Sequence, residues 1–357
     1  MAGRSRKPAP ALLFAGLAVL LAVVGVLSVC QGPEWISPGT VARGARHVFG
    51  LGAALDEPMQ TIVELRLWRA LTAVGVGAAL GLSGGLIQGM FRNGLASPSL
   101  LGVTSGASLG AACAILLIGG WGPRAVLEGS TGSGALLIPV FGFIGALGTV
   151  LLVAFLATTR GRLSVTTLLL VGIAVNMCMG GLFAAIQSVS LVDWEVSRAI
   201  MAWTFGTLDD RSSIHARTVW AGLAVAALVI PFVGRELDLF KGGEQDASAL
   251  GVSVGRVKAL CLVGAALAAA SAVAVAGQIA FVGLVVPHLV RLGCTGRHTA
   301  LLPLCIVTGA VFLLGCDLVQ RTLLGDGVLQ PGVMMSLVGG PFFIYLLIRN
   351  RRELGAW

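Results

Sequence analysis

The stretch Gly277–Arg291 reads GQIAFVGLVVPHLVR, placing glycine, proline, histidine and arginine inside one short apolar run. Pro287 removes a backbone donor, so a carbonyl one turn earlier must find another partner. His288 and Arg291 sit at the end of the run, within reach of an aqueous interface. A second polar set is Arg66 and Arg69, three residues apart and therefore on one face of a helix. The pair reads either as lipid-phosphate anchors or as a docking face for an acidic partner. Asn176 stands deep in an apolar run, next to Met177, Cys178 and Met179. It either hydrogen-bonds across helices or lines a path, and the methionines read as gap-fillers rather than soft-metal ligands.

Covalent chemistry finds little support in these residue types. The four histidines (His47, His215, His288, His298) are scattered, with no nucleophile–base pairing in the sequence. His288, Cys294 and His298 fit no zinc spacing, so no metal site is expected. A phosphate-binding loop needs a lysine after glycine, and none of Lys7, Lys241 and Lys258 follows one. Any ATP that drives this protein must be bound by another chain, and no cofactor is expected.

The elements that position these residues are membrane spans. Apolar residues make up 56% of the 357-residue chain and charged residues 11%, with a mean hydropathy of +0.94. A soluble domain carries roughly 25% charged residues. The net charge of +8 does not point to nucleic acid, because the bases lie in short segments between apolar runs. The seven cysteines show no CxxC pair and read as small hydrophobes. Ten runs are long enough to cross a bilayer or be sheltered within one. They fall near 10–30, 68–91, 99–119, 135–157, 164–189, 217–233, 259–276, 279–290, 300–316 and 332–348. The eighth is too short to face lipid alone. The first follows Arg4, Arg6 and Lys7 but lacks a small-residue cleavage site, so a retained helix is expected.

With both termini in the cytoplasm, 15 of the 24 bases fall in cytoplasmic segments, including Arg92, Arg160, Arg162, Arg351 and Arg352. The positive-inside rule supports that orientation. The longest cytoplasmic segment is Gly234–Lys258. A short amphipathic helix and a glycine turn there would offer a small apolar knob to a cytoplasmic protein, although a solvated connector fits its composition equally.

Four segments together resemble one family. These are Arg66–Gly110, with its paired arginines and its Arg92-Asn93-Gly94-Leu95-Ala96-Ser97-Pro98 turn; Trp203-x-x-Gly206; Gly277–Arg291, with Pro287, His288 and Arg291 at its cytoplasmic end; and Gly332–Phe342. Across nearly the whole chain, in order, they resemble the permeases of iron–siderophore, haem and vitamin B12 ABC importers. The resemblance implies an all-α, polytopic integral membrane protein of about ten transmembrane helices, a single permease domain over 1–357. It implies a homodimeric translocation path, two ATP-binding-cassette ATPase subunits and an extracytoplasmic substrate-binding protein, in the bacterial plasma membrane. By resemblance, Ala249, Leu250 and Gly251 lie at the ATPase contact with Glu244 nearby, inside a coupling loop of about 234–258. Arg66, Arg69 and Arg321 meet the binding protein, and Asn176 lies along the path. Iron(III)–siderophore is the expected substrate, with haem, cobalamin and molybdate as alternatives. An ion-coupled secondary transporter is the alternative from another class, weakened because no acid sits at a span centre. The chain departs from the family pattern at Trp68, Gly94, Gln278, Ala280 and Val328-Leu329-Gln330-Pro331.

Overall fold

The computed structural model describes residues 9–119, 134–159, 162–293, 296–325 and 329–349. Arg4, Arg6, Lys7, Arg160, Cys294, Val328, Arg351 and Arg352 lie outside the described residues. The helices are α1 (Pro10–Cys30), α2 (Pro38–Val48), α3 (Glu57–Phe91), α4 (Val103–Ile118), α5 (Gly134–Ala157), α6 (Val165–Ser190) and α7 (Trp194–Thr204). They continue as α8 (Ser213–Ala227), α9 (Ile230–Leu239), α10 (Glu244–Ala249), α11 (Val254–Ala276), α12 (Val282–Gly293), α13 (His298–Leu324) and α14 (Pro331–Arg349). A two-residue antiparallel pairing, Thr158–Thr159 with Arg162–Leu163, joins α5 to α6.

Six of these helices are long and apolar enough to cross a membrane. A seventh crossing is the pair α8 and α9, bent by 51° where Pro231 enters the first turn of α9. Three shorter apolar helices, α4, α12 and α14, complete the ten expected crossings. The second span departs from its sequence boundary. The apolar window opens at 68, but the helix begins at Glu57. Charged Glu57, Glu64 and Arg66 lower its hydropathy without breaking its hydrogen bonds. At 1.5 Å per residue its 35 residues extend about 52 Å, well beyond a hydrocarbon core of roughly 30 Å.

Helix α3 is the axis of the molecule. It is buried along nearly its whole apolar stretch and packs on α13, α11, α12 and α8. Its glycines make this possible. A Cβ at Gly77 would overlap the carbonyl oxygen of Gly309 on α13, and one at Gly84 would overlap that of Gly283 on α12. Backbone-to-backbone approach of this kind replaces the hydrophobic drive that helices lack in lipid. By contrast α1 and α6 are mostly exposed, as a lipid-facing or partner-facing helix must be.

Helix α12, 12 residues long, is the short sheltered run. It is enclosed by α3, α13 and α14, and Val282–Pro287 are buried. Between α11 and α12 the chain is unwound from Gly277 (φ +72°) to Phe281 (φ +65°). Irregular backbone at this depth is tolerated only inside protein.

Candidate functional site

Loop connectivity divides the polar residues between two ends of the bundle. One end carries residues 92–98, 234–258, 291–293 and 296–297. The other carries 31–56, 205–212, 321–325 and 329–330.

At the first end, Pro287 leaves the carbonyl of Gly283 without its helical donor. Buried Gln88 of α3 fills the gap, donating through Nε2 to Gly283 O (3.4 Å) and Leu284 O (3.2 Å). Its Oε1 accepts from Arg291 Nη1. The Pro287–Arg291 motif is therefore bound to α3 by one amide acting as donor and acceptor. His288 stacks edge-on against Phe342 of α14, with centroids 6.1 Å apart.

The 234–258 segment is built from the end of α9, a single 3-10 turn (Phe240–Gly242), α10 and the start of α11. Gly243 (φ +122°) and Gly251 (φ +87°) bracket α10 in backbone conformations that favour glycine. The turn at Gly251 leaves Ala249, Leu250 and Gly251 exposed, and Leu250 keeps 67% of its surface open. A short helix followed by a glycine turn, as the sequence suggests, is present, with Ala247 as its buried residue. Glu244 ties α10 to α11 through Lys258 at 2.7 Å, and Lys258 also donates to Leu163 O at 3.1 Å. Asp238 on α9 accepts from His298 N (2.8 Å) and pairs with His298 Nδ1 (2.9 Å) and Lys241 Nζ (3.2 Å).

At the other end the three predicted arginines come together, around groups the sequence did not assign. Asp317 on α13, with no exposed surface, pairs with Arg69 (2.8 Å) and Arg321 (3.1 Å). Arg69 also bridges to Asp209 in the loop after α7. Helix α1 ends without a basic residue in its last turn, so its terminal carbonyls need outside donors. Arg66 donates to Val29, Cys30 and Glu34 carbonyls at 3.1–3.4 Å. Arg321 donates to Ser28 O (3.2 Å), Ser28 Oγ (2.7 Å) and Gln31 O (3.2 Å). The guanidiniums of Arg69 and Arg321 thus work inside the protein. Burial lowers the neighbouring Arg211 to about 10, against Asp209 and Asp210, so it stays charged at neutral pH.

Asn176 on α6 joins helices. It accepts from Ser105 Oγ (2.6 Å) and donates to Ser99 O (3.2 Å) and Leu100 O (3.3 Å). A cavity of about 210 Å³ opens beside the unwound segment, lined by Ser99, Thr104, Gln278 and Phe281 among others. Gln278, a departure from the family pattern, donates to Ser108 Oγ at 2.6 Å. Among the described residues no group of three or more potential metal ligands occurs. Asp317, Asp209, Asp238 and Gln88 are the connecting residues that sequence reasoning did not assign to a site. Spacing signalled two of them, since Asp317–Arg321 is an i,i+4 pair and Asp238–Lys241 an i,i+3 pair.

Known proteins share this architecture. The profile of the FecCD transport family matches residues 20–349. The chain is 37% identical to the cobalamin import system permease protein BtuC of Halobacterium salinarum, over 93% of this chain and 84% of that protein. It is 33% identical to the hemin transport system permease protein HmuU of Yersinia pestis, over 96% and 97%. A solved inward-facing metal-chelate type ABC transporter superposes with a TM-score of 0.75 at 28% identity, covering 95% of this chain and 99% of that one. A helical bundle around a glycine-rich axis, a short proline-bearing helix held by glutamine, and a match along nearly the whole chain lead to one assignment: this chain belongs to the FecCD transport family of ABC importer permeases.

Proposed function

We propose that this chain is the membrane half-channel of an importer for metal chelates, with iron(III)–siderophore complexes as the first substrate class. Two copies form the path, two ATP-binding-cassette subunits dock at residues 234–258, and a substrate-binding protein docks at the opposite end. The whole chain, 1–357, acts as one permease unit in the bacterial plasma membrane with both termini on the ATPase side, and ATP hydrolysis belongs to the partner subunits.

The observation that carries this reading is the exposed Leu250 knob on a short helix held in place by Glu244 and Lys258. An exposed apolar side chain at the end of a braced helix supports docking on another protein. The cavity beside the unwound segment, about 210 Å³, is below the roughly 300–1,000 Å³ of pockets for drug-sized ligands. A bulkier chelate needs a path between two copies, and the exposed faces of α6 and α14 suit that arrangement. Asn176 sets the position of α6 along that path. Arg66, Arg69 and Arg321 serve the binding protein by holding the docking surface in shape. The buried carboxylate of Asp317 is paired with two arginines, which favours ATP drive over ion coupling.

Cobalamin is a second reading, favoured by the 37% identity to a permease named for cobalamin import. Haem is kept open by the relative named for hemin. Gentle purification with mass spectrometry of what accompanies the chain tests the assembly. ATP-dependent uptake of ferric siderophore, cobalamin or haem into proteoliposomes then names the cargo. Uptake without any ATPase subunit would overturn the reading.

A further inference from the structure

Helix α13 begins in a contact with the coupling segment and ends in the buried charge cluster. Its N-cap residue, Arg297, makes no side-chain cap. The first backbone N–H, of His298, is instead satisfied by Asp238 of α9, 60 positions away in sequence. His298 is itself buried, against Gly89 of α3. Helix α9 therefore cannot move away from α13 without stranding a backbone donor and a buried imidazole.

From there α13 runs 27 residues, about 40 Å. Along that length it lies backbone to backbone on α3, at Gly77 against Gly309 and Gly81 against the Cys305 carbonyl. Backbones this close interlock the two helices along their length, the packing a single rigid body requires. At the far end Arg69 of α3 holds Asp317 of α13 and Asp209 of the 205–212 loop together. That loop is stitched to the last residue of α11, where the unwound segment begins, by Thr207 N donating to Ala276 O at 2.9 Å. A Cβ at Gly206 would overlap the Gln278 carbonyl.

We infer that α3 and α13 form a rigid strut that carries displacement of the coupling segment to the 205–212 loop, with Asp238–His298 as its input joint and Arg69–Asp209 as its output joint. Asp238 and Asp209 are positioning residues in this scheme, since each acts through another side chain, His298 and Arg69. The inference rests on the importer reading above.

Hydrogen–deuterium exchange of the permease–ATPase complex in lipid nanodiscs tests it, with and without ATP plus vanadate. In the wild type, exchange changes in both 244–252 and 205–212. In Asp238→Ala the change at 244–252 persists while that at 205–212 falls at least threefold. Asp209→Ala, at a partly exposed side chain, has the same effect and leaves the cap of α13 intact, so it decides the matter if Asp238→Ala does not assemble. A full response at 205–212 in either variant overturns the strut. So does a wild-type complex whose coupling segment responds while 205–212 does not. If no ATPase accompanies the wild-type chain, the importer reading fails and the strut fails with it.

Discussion

Gln88 supplies the hydrogen bond that Pro287 withholds. The carbonyl of Gly283, one turn before the proline, accepts from Gln88 Nε2, and the same amide receives Arg291 through its oxygen. One side chain thereby fixes the depth and the rotation of the short helix α12 against the axial helix α3. This gives the proline–histidine–arginine run a physical meaning. The proline creates a deficit that Gln88 of the neighbouring helix fills, which ties α12 to α3.

Replacing Gln88 with leucine removes one hydrogen bond from the Gly283 carbonyl and one from the Arg291 guanidinium. The expected cost is about 1–3 kcal/mol, seen as a lower melting temperature in detergent. Pro287→Ala restores the backbone donor. The double variant is then less destabilised than the sum of the single ones by about 1 kcal/mol. Strict additivity would show that Gln88 does not serve the proline gap.

Asp317→Ala leaves Arg69 and Arg321 buried without their shared counter-charge. Breaking a buried pair from one side costs about 3–5 kcal/mol, enough to unfold a marginal protein. Little folded protein is expected from membranes. Near-normal yield and melting temperature would mean that water reaches the cluster.

Gly77→Ala and Gly309→Ala each place a methyl group against the opposing carbonyl. Both are expected to lower the melting temperature, by about 1–3 kcal/mol of overpacking. Gly315 on the same helix faces open space. Gly315→Ala is expected to be neutral or slightly stabilising, which separates loss of close approach from loss of glycine as such.

Leu250→Asp changes an exposed residue and is expected to leave the melting temperature within about 0.5 kcal/mol equivalent. Recovery of the ATPase subunit on affinity purification should fall at least tenfold. Glu244→Gln weakens the brace to Lys258 and should reduce recovery less. Equal recovery of ATPase with Leu250→Asp would remove the coupling segment from the contact.

The ten crossings were legible because they are a bulk property. A bilayer demands long uncharged runs, and the runs, their number and the short eighth one stand in the sequence. The start of α3 was not legible from hydropathy, since Glu57, Glu64 and Arg66 belong to the helix but not to the apolar window. Pro287, His288 and Arg291 were visible as a motif, and so was the need of the proline for an outside donor. That the donor is Gln88, about 200 positions earlier, depends on which helices touch.

The charged residues show the division most sharply. Sequence placed Arg66, Arg69 and Arg321 at one end of the bundle, where the Arg66–Arg69 spacing reads as lipid anchors or a docking face and the family resemblance implies docking for all three. Only the tertiary structure shows what holds them: Arg66 and Arg321 donate to carbonyls at the end of α1, and buried Asp317 pairs with Arg69 and Arg321. Likewise Ala249, Leu250 and Gly251 stand exposed at a turn that residue types alone could suggest, while the brace from Glu244 to Lys258 needed the fold. Composition and spacing decide whether a segment lives in lipid and which residues share a helix face, since both follow from the solvent and the 3.6-residue period. Whether a charge faces a partner or pairs within the protein is set by contacts distant in sequence, which only the folded chain brings together.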